Sequence, residues 1–361
     1  MADEVVASLS TWPTDSRFIK IITNRIDPSV LLVVNALVTG GAGFIGGHLA
    51  ESFAGDGLDV TVLDNYEPYY DLGIKDHNVE AARVAAVDSD GSFEIVEGSV
   101  TDAELVNDLT EDADVVYHQA AQAGVRKSVE DPAKVNEYNV TGTINVLEAA
   151  RNADVDRVVY ASSSSVYGKP EYLPYDESHP NEPVSPYGVS KLAGEHYMRV
   201  YNEVYGLPTV SLRYFTVYGP RMRPNMAISN FVSRCMRGVP PQVYGDGEQT
   251  RDFTYVEDVV EANRTLLTDD GADGEVLNIG STDNIDIATL AEVVHDEIDP
   301  TVAIEFTDPR DGDAEHTHAD VSKANDLIGY EPTRDIREGI REFINWYERN
   351  RDWYDPLVVD S

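Results

Sequence analysis

The 361-residue chain is long enough for a full nucleotide-binding domain and a smaller companion, and its 42% hydrophobic and 9% aromatic residues are those of a folded protein. Its 65 acidic residues against 27 basic ones leave a formal net charge of -38, which repels phosphate backbones and anionic lipid and so excludes nucleic acid and membrane surfaces as natural partners. The carboxylates are spread along the whole chain rather than gathered in a tail, a pattern suited to a high-salt cytoplasm in which screening over a few ångströms removes the self-repulsion.

Residues 1–29 show no sustained period and carry Asp3 and Glu4 where a secretory leader would be basic; they are read as an extension outside the folded unit. From Leu31–Val38 onward, apolar runs alternate with stretches of helical spacing. "DVTVLD" (59–64), "ADVVYHQAA" (113–121), "VDRVVYASSS" (155–164) and "PTVSLRYFTVYG" (208–219) read as buried strands, and "FIGGHLAESFAGDG", "TGTINVLEAARNA" and "YGVSKLAGEHYMRVYNEVYG" read as helices between them. Strand and helix in alternation predict an α/β fold, a Rossmann-type doubly wound parallel sheet with helices on both faces. The dinucleotide-binding domain is placed at 30–220 and a smaller α/β substrate domain at 221–361, with some of its segments returning to the first. The second part ends in "TRDIREGIREFINWYERN", where Ile336, Ile340, Phe343, Ile344 and Tyr347 make one stripe. Cys235 is the one cysteine, so no disulfide forms within the chain, and no apolar run approaches membrane-spanning length; the sequence reads as a cytoplasmic protein.

"ALVTGGAGFIGGHLAESF" (36–53) joins a strand to a helix through Gly40, Gly41, Gly43 and Gly46. Glycines are needed there because the backbone turns tightly and a side chain would keep a pyrophosphate away from the free N–H groups of the helix. The next strand ends at Asp64, an acid placed to accept hydrogen bonds from an adenosine ribose and to disfavour a 2′-phosphate. The order of strand, glycines, helix and acid points to NAD. Tyr187 and Lys191 stand at i and i+4 on a predicted helix, hence on one face, and an ammonium beside a phenol stabilises the phenolate as a base. His316 and His318, with Asp320, are read as polar surface in a loop and not as a metal site.

Taken together, "VTGGAGFIG", "LDN", "HQAAQAGVRKS", "NVTGT", "SSSSVYG", "YGVSK", "RYFTVYGPRMRP", "RDFTYVEDVV" and "PRDGD" resemble the extended short-chain dehydrogenase/reductase family, specifically its nucleotide-sugar epimerases and dehydratases, from about residue 35 to residue 350. The resemblance implies that Ser163, Tyr187 and Lys191 are catalytic. It also implies that Gly40, Gly43, Phe44, Ile45 and Gly46 of the turn, Asp64 and Asn65, Ser99 and Val100, Ala120 and Ala121, and Tyr187 with Lys191 surround NAD. Asn139 is implied to position Tyr187 or the cofactor, and Ser99 stands where the family usually has an adenine-contacting Asp. For the UDP-sugar it implies Ser163, Thr216, Arg251 and Arg310, with Arg221 and Arg223 as further candidates; Arg126 either faces a substrate carboxylate or caps a helix.

In the family's dehydratases an Asp and a Glu follow the residue matching Ser163; here Ser164 and Ser165 do. A hydroxyl with a pKa far above 10 cannot replace that acid and base near neutrality, so the resemblance implies 4-epimerisation, with UDP-glucose and UDP-galactose as the main expectation. The alternatives are UDP-glucuronate or UDP-N-acetylglucosamine 4-epimerisation, and further off a decarboxylase or dehydratase, or a non-catalytic NAD-binding sensor. A homodimer through helices 131–152 and 186–205 is likewise implied by the family.

Overall fold

Residues 34–308 and 316–358 are described by the computed structural model; the extension 1–29 and Arg310 lie outside them. Seven strands form one sheet: β1 (Asn35–Thr39), β2 (Asp59–Asp64), β3 (Ser92–Glu97), β4 (Val115–His118), β5 (Arg157–Ser163), β6 (Thr209–Tyr214) and β7 (Val276–Ile279). Their spatial order is β7-β6-β5-β4-β1-β2-β3, and every pair is parallel. The order reverses beside β1, which lies between β2 and β4, and ligands of open α/β sheets bind at such a switch point beyond the strand ends.

The helices that matter for the site are α1 (Phe44–Gly55), α2 (Leu72–Val87), α3 (Ala103–Thr110), α4 (Gly142–Asn152) and α5 (Pro186–Val200). Alternate strand residues feed opposite layers, as the pleat requires. Ala36 and Val38 pack with Leu49 and Phe53 of α1 and Ile74 of α2, whereas Leu37, Val116 and Val158 pack with Val146 and Leu147 of α4 and Met198 of α5. Each fully buried Val, Leu, Ile, Phe or Met among them contributes about 1.5–3 kcal/mol.

Sequence periodicity misses β3, α2 and α3. β3 lies at the sheet edge and none of its residues is buried, so no apolar run marks it. The second half of the chain is built from short strand pairs, Thr216–Tyr218 with Phe253–Tyr255 and Gln242–Tyr244 with Glu305–Thr307, and from helices between them. In the helix Ile336–Arg349 the expected stripe is buried at Ile340, Phe343, Ile344 and Tyr347, with Ile336 at its margin.

Candidate active site

The glycine turn between β1 and α1 is shaped by contacts that exclude side chains. Gly40 has φ +70, and a Cβ there would lie 2.7 Å from the Ala120 backbone; one on Gly46 would lie 2.3 Å from the Gly40 carbonyl oxygen. Gly43 caps α1 with no side-chain hydrogen bond and the first turn has no acid, so an anion meets no competing carboxylate at the helix start. Asn78 of α2 braces the turn from behind, donating to the carbonyls of Ala42 at 2.9 Å and Gly43 at 3.0 Å.

The turn opens into a cleft of about 1560 Å³, larger than the few hundred Å³ a single small ligand occupies and sufficient for a dinucleotide with a nucleotide sugar. Gly40, Gly43, Phe44, Ile45 and Gly46 line it, as do Asp64, Asn65, Ser99 and Val100. Ala120, Ala121, Ser163, Tyr187, Lys191, Thr216 and Arg251 also stand on its walls. Asn139 is not among the lining residues: fully buried, it accepts from Gln122 N at 2.7 Å and donates to Ser190 Oγ at 2.9 Å, tying the strand-end loop to α5. Its reach toward Tyr187 runs through Ser190, which donates to the Tyr187 carbonyl at 2.8 Å. Arg221 and Arg223 are separated by their surroundings. Arg221, at φ 61, is buried against Glu51 and His48 of α1, whereas Arg223 faces the cleft. Arg126 also lines the cleft, so a helix cap is not needed to explain it.

The sequence signals miss Lys75. Buried on α2, it pairs with Asp64 at 2.8 Å, and the same carboxylate accepts from Ala42 N at 3.1 Å and Tyr66 N at 2.8 Å. Of the roughly four acceptor directions of a carboxylate, three are taken, which leaves one for a ribose hydroxyl. Lys75 also offsets part of the negative charge on which the argument against a 2′-phosphate rests. Ser99 Oγ and Thr101 Oγ1 share a hydrogen bond at 2.8 Å, and Ser99 lines the cleft as a small polar wall.

Ser185 caps α5 by accepting from Gly188 N at 3.1 Å, and Pro186 opens the first turn, so Tyr187 stands at the cleft edge of that helix. Ser163 stands close enough to Tyr187 to favour its ionised phenol, and Ser163 Oγ accepts from Ser165 N at 3.1 Å, leaving its own proton to donate. Lys191, 2% exposed, donates to the Ala161 carbonyl at 2.7 Å, and burial pushes its ammonium down to about 7. The charge that acts most directly on the phenol is not the lysine's. Burial raises the Tyr187 phenol above its ordinary value near 10, and the cation that opposes this is the Arg223 guanidinium.

Among the described residues no group of three His, Cys, Asp or Glu is placed to hold a metal; His316 bonds Thr250 at 3.1 Å and His318 the Thr282 carbonyl at 3.1 Å. No helix of the described residues is long and apolar enough to cross a membrane.

A family model described as GDP-mannose 4,6 dehydratase matches residues 37–343. UDP-glucuronate 4-epimerase 1 of Arabidopsis thaliana is 36% identical over 334 residues, 87% of this chain and 76% of that protein. The structure of UDP-glucuronic acid 4-epimerase from Bacillus cereus, in complex with UDP-glucuronic acid and NAD, aligns at TM-score 0.80 and 33% identity over 88% of this chain and 99% of that one. UDP-glucose 4-epimerase from Thermotoga maritima, with UDP-glucose, aligns at TM-score 0.80 and 31% identity over 88% and 100%. With the glycine turn, the Ser163–Tyr187 pair and Lys191 on one cleft wall, the chain belongs to the extended short-chain dehydrogenase/reductase family of nucleotide-sugar epimerases and dehydratases.

Proposed function

We propose that the chain is an NAD-dependent UDP-sugar 4-epimerase and that UDP-glucuronate is its substrate. The observation that carries the reading is the Tyr187–Ser163 pair on a cleft wall where Ser164 and Ser165 follow, in place of a carboxyl pair. Removing water from C5 and C6 of a sugar needs an acid and a base near neutrality, and two hydroxyls provide neither. What remains is inversion at C4.

Gly40, Gly43 and Gly46 would hold the cofactor's pyrophosphate against α1, and Asp64 its ribose. When bound, NAD supplies the acceptor for the hydride leaving C4 and the donor for its return. Tyr187, as phenolate, takes the proton of the 4-hydroxyl while Ser163 holds that oxygen; the C4–H bond breaks and the C4–O bond becomes a carbonyl. After the keto sugar turns over, Tyr187 gives the proton back to O4 as the C4–H bond re-forms on the other face. The substrate is neither oxidised nor reduced overall.

UDP-glucuronate is preferred over UDP-glucose because of charge at the sugar end. A 5-carboxylate entering a protein of net charge -38 needs a local cation, and Arg223 lines the cleft within electrostatic reach of Tyr187 and Tyr70. Thr216, Ser164 and Ser165 add hydroxyl donors on the same walls. The Arabidopsis thaliana and Bacillus cereus proteins lend support through their own names. The test is to incubate the purified protein, without added cofactor, with UDP-glucuronate, UDP-glucose and UDP-N-acetylglucosamine in turn. UDP-galacturonate as the fastest-formed product is expected; faster conversion of either neutral sugar overturns the substrate assignment, and no epimer from any of them overturns the activity.

We also propose a homodimer through the helical segments 131–152 and 186–205, which include α4 and α5. Val184, Val189, Tyr197 and Val204 are exposed there, beside a groove that includes Pro132 and Val140. Light scattering of the eluted protein that gives a monomer mass would refute it.

A further inference from the structure

Behind the reacting groups lies a buried ion pair that the proposed steps do not use. Glu195 is on α5, one turn beyond Lys191 and two beyond Tyr187, and is 4% exposed. Its carboxylate accepts from Arg213 Nε at 2.9 Å and Arg213 Nη2 at 2.8 Å, a bidentate pair reaching from β6, and from Ser162 Oγ of β5 at 2.5 Å. Ser162 is flanked by the two residues that hold the site: Ala161, whose carbonyl takes the Lys191 proton donor, and Ser163, the partner of Tyr187. One carboxylate therefore joins two strands and the helix at the point where catalytic geometry is set.

We infer that Glu195 is a positioning residue, clamped by Arg213 and Ser162 so that its carboxylate both fixes α5 against the sheet and keeps the Lys191 ammonium charged. The inference rests on the reading of Tyr187 and Lys191 as the working pair. Around Lys191, Tyr160 of β5 presents its ring at 4.9 Å and Tyr187 its own at 5.9 Å. His118 of β4, buried with its imidazole pushed down to about 3 by burial and by Lys191, brings no charge near neutrality. Glu195 is the acid that raises the lysine against burial, and Arg213, stacked 4.6 Å from the Tyr167 ring centre, is the cation that balances Glu195.

The test is the titration of Lys191 by carbon NMR in protein carrying ε-labelled lysine, which gives few signals because the chain has seven lysines. Glu195→Gln keeps the shape and removes the charge; Arg213→Gln leaves the carboxylate unbalanced. Both break the same buried pair and both will lower Tm. Expected is a Lys191 midpoint lower by about one pH unit or more in Glu195→Gln and higher in Arg213→Gln, with the alkaline limb of kcat following each. Midpoints that move the same way, or not at all, reduce the pair to a structural brace and overturn the inference. The NMR readout needs no turnover, so a protein inactive on every UDP-sugar would fail the proposed function while still deciding this one.

Discussion

Lys191 sets its ammonium on the main-chain carbonyl of Ala161, 2.7 Å away, and meets Tyr187 only across the ring, 5.9 Å from its centre. The lysine is thereby fixed by β5 and cannot swing, while the phenol, raised by burial, depends on further positive charge to ionise. That charge comes from Arg223 and, once cofactor is in place, from an oxidised nicotinamide ring.

Replacing Tyr187 with Phe removes the proton acceptor and leaves the glycine turn untouched. kcat is expected to fall by about 10³-fold, within the range for a general base, with bound nucleotide retained. A variant that loses its nucleotide in the same proportion would mean that the ring serves cofactor binding and not proton transfer.

Gly46→Ala is predicted to cost cofactor binding far more than folding. Its Cβ would stand 2.3 Å from the Gly40 carbonyl oxygen and 2.9 Å from the Gly41 Cα, so the turn must open. Tryptophan quenching on NAD addition should show weakening of at least about 100-fold, the cost of a misplaced pyrophosphate cradle at roughly 2.7 kcal/mol. Unchanged affinity would place the pyrophosphate elsewhere.

Asp252 gives a pH dependence of definite sign. Fully buried, it accepts from Ser281 N at 2.8 Å and Ala319 N at 3.0 Å, yet burial pushes its carboxyl up to about 7 from an ordinary value near 3.8. The native state thus holds a proton that the unfolded chain releases. The stability this contributes is fully present below about pH 4 and lost as pH rises through about 7, at up to roughly 1.4 kcal/mol per pH unit. Asp252→Asn has no such proton, so the Tm advantage of the parent over the variant should shrink from pH 4 to pH 7; an advantage that grows would reverse the assignment.

The charge of -38 predicts salt-dependent stability. Tm is expected to rise by roughly 10 °C between dilute buffer and molar KCl, because screening shortens from tens of ångströms to about 3 Å. A flat Tm would mean that the acidic surface is tolerated without salt.

How far the molecule can be read from its sequence follows from how local each constraint is. The glycine turn, the cap of α5 and the Tyr187–Lys191 spacing are short-range, and each is legible in a dozen residues. Lys75 and Glu195 are not, because their partners Asp64 and Arg213 are chosen by the way α2 and α5 lie on the sheet. Arg221 and Arg223 occupy one short motif, and only the positive φ of Arg221 and the acid on α1 decide which of them reaches the cleft.

β7, residues Val276–Ile279, is contributed by the second half of the chain yet closes the outer flank of β6. A protein cut anywhere between the two would expose a bare hydrogen-bonding edge on one fragment and orphan a four-residue ribbon on the other. The later half of the chain is in this sense stitched to the earlier one, and neither can be exchanged wholesale without unpicking that seam.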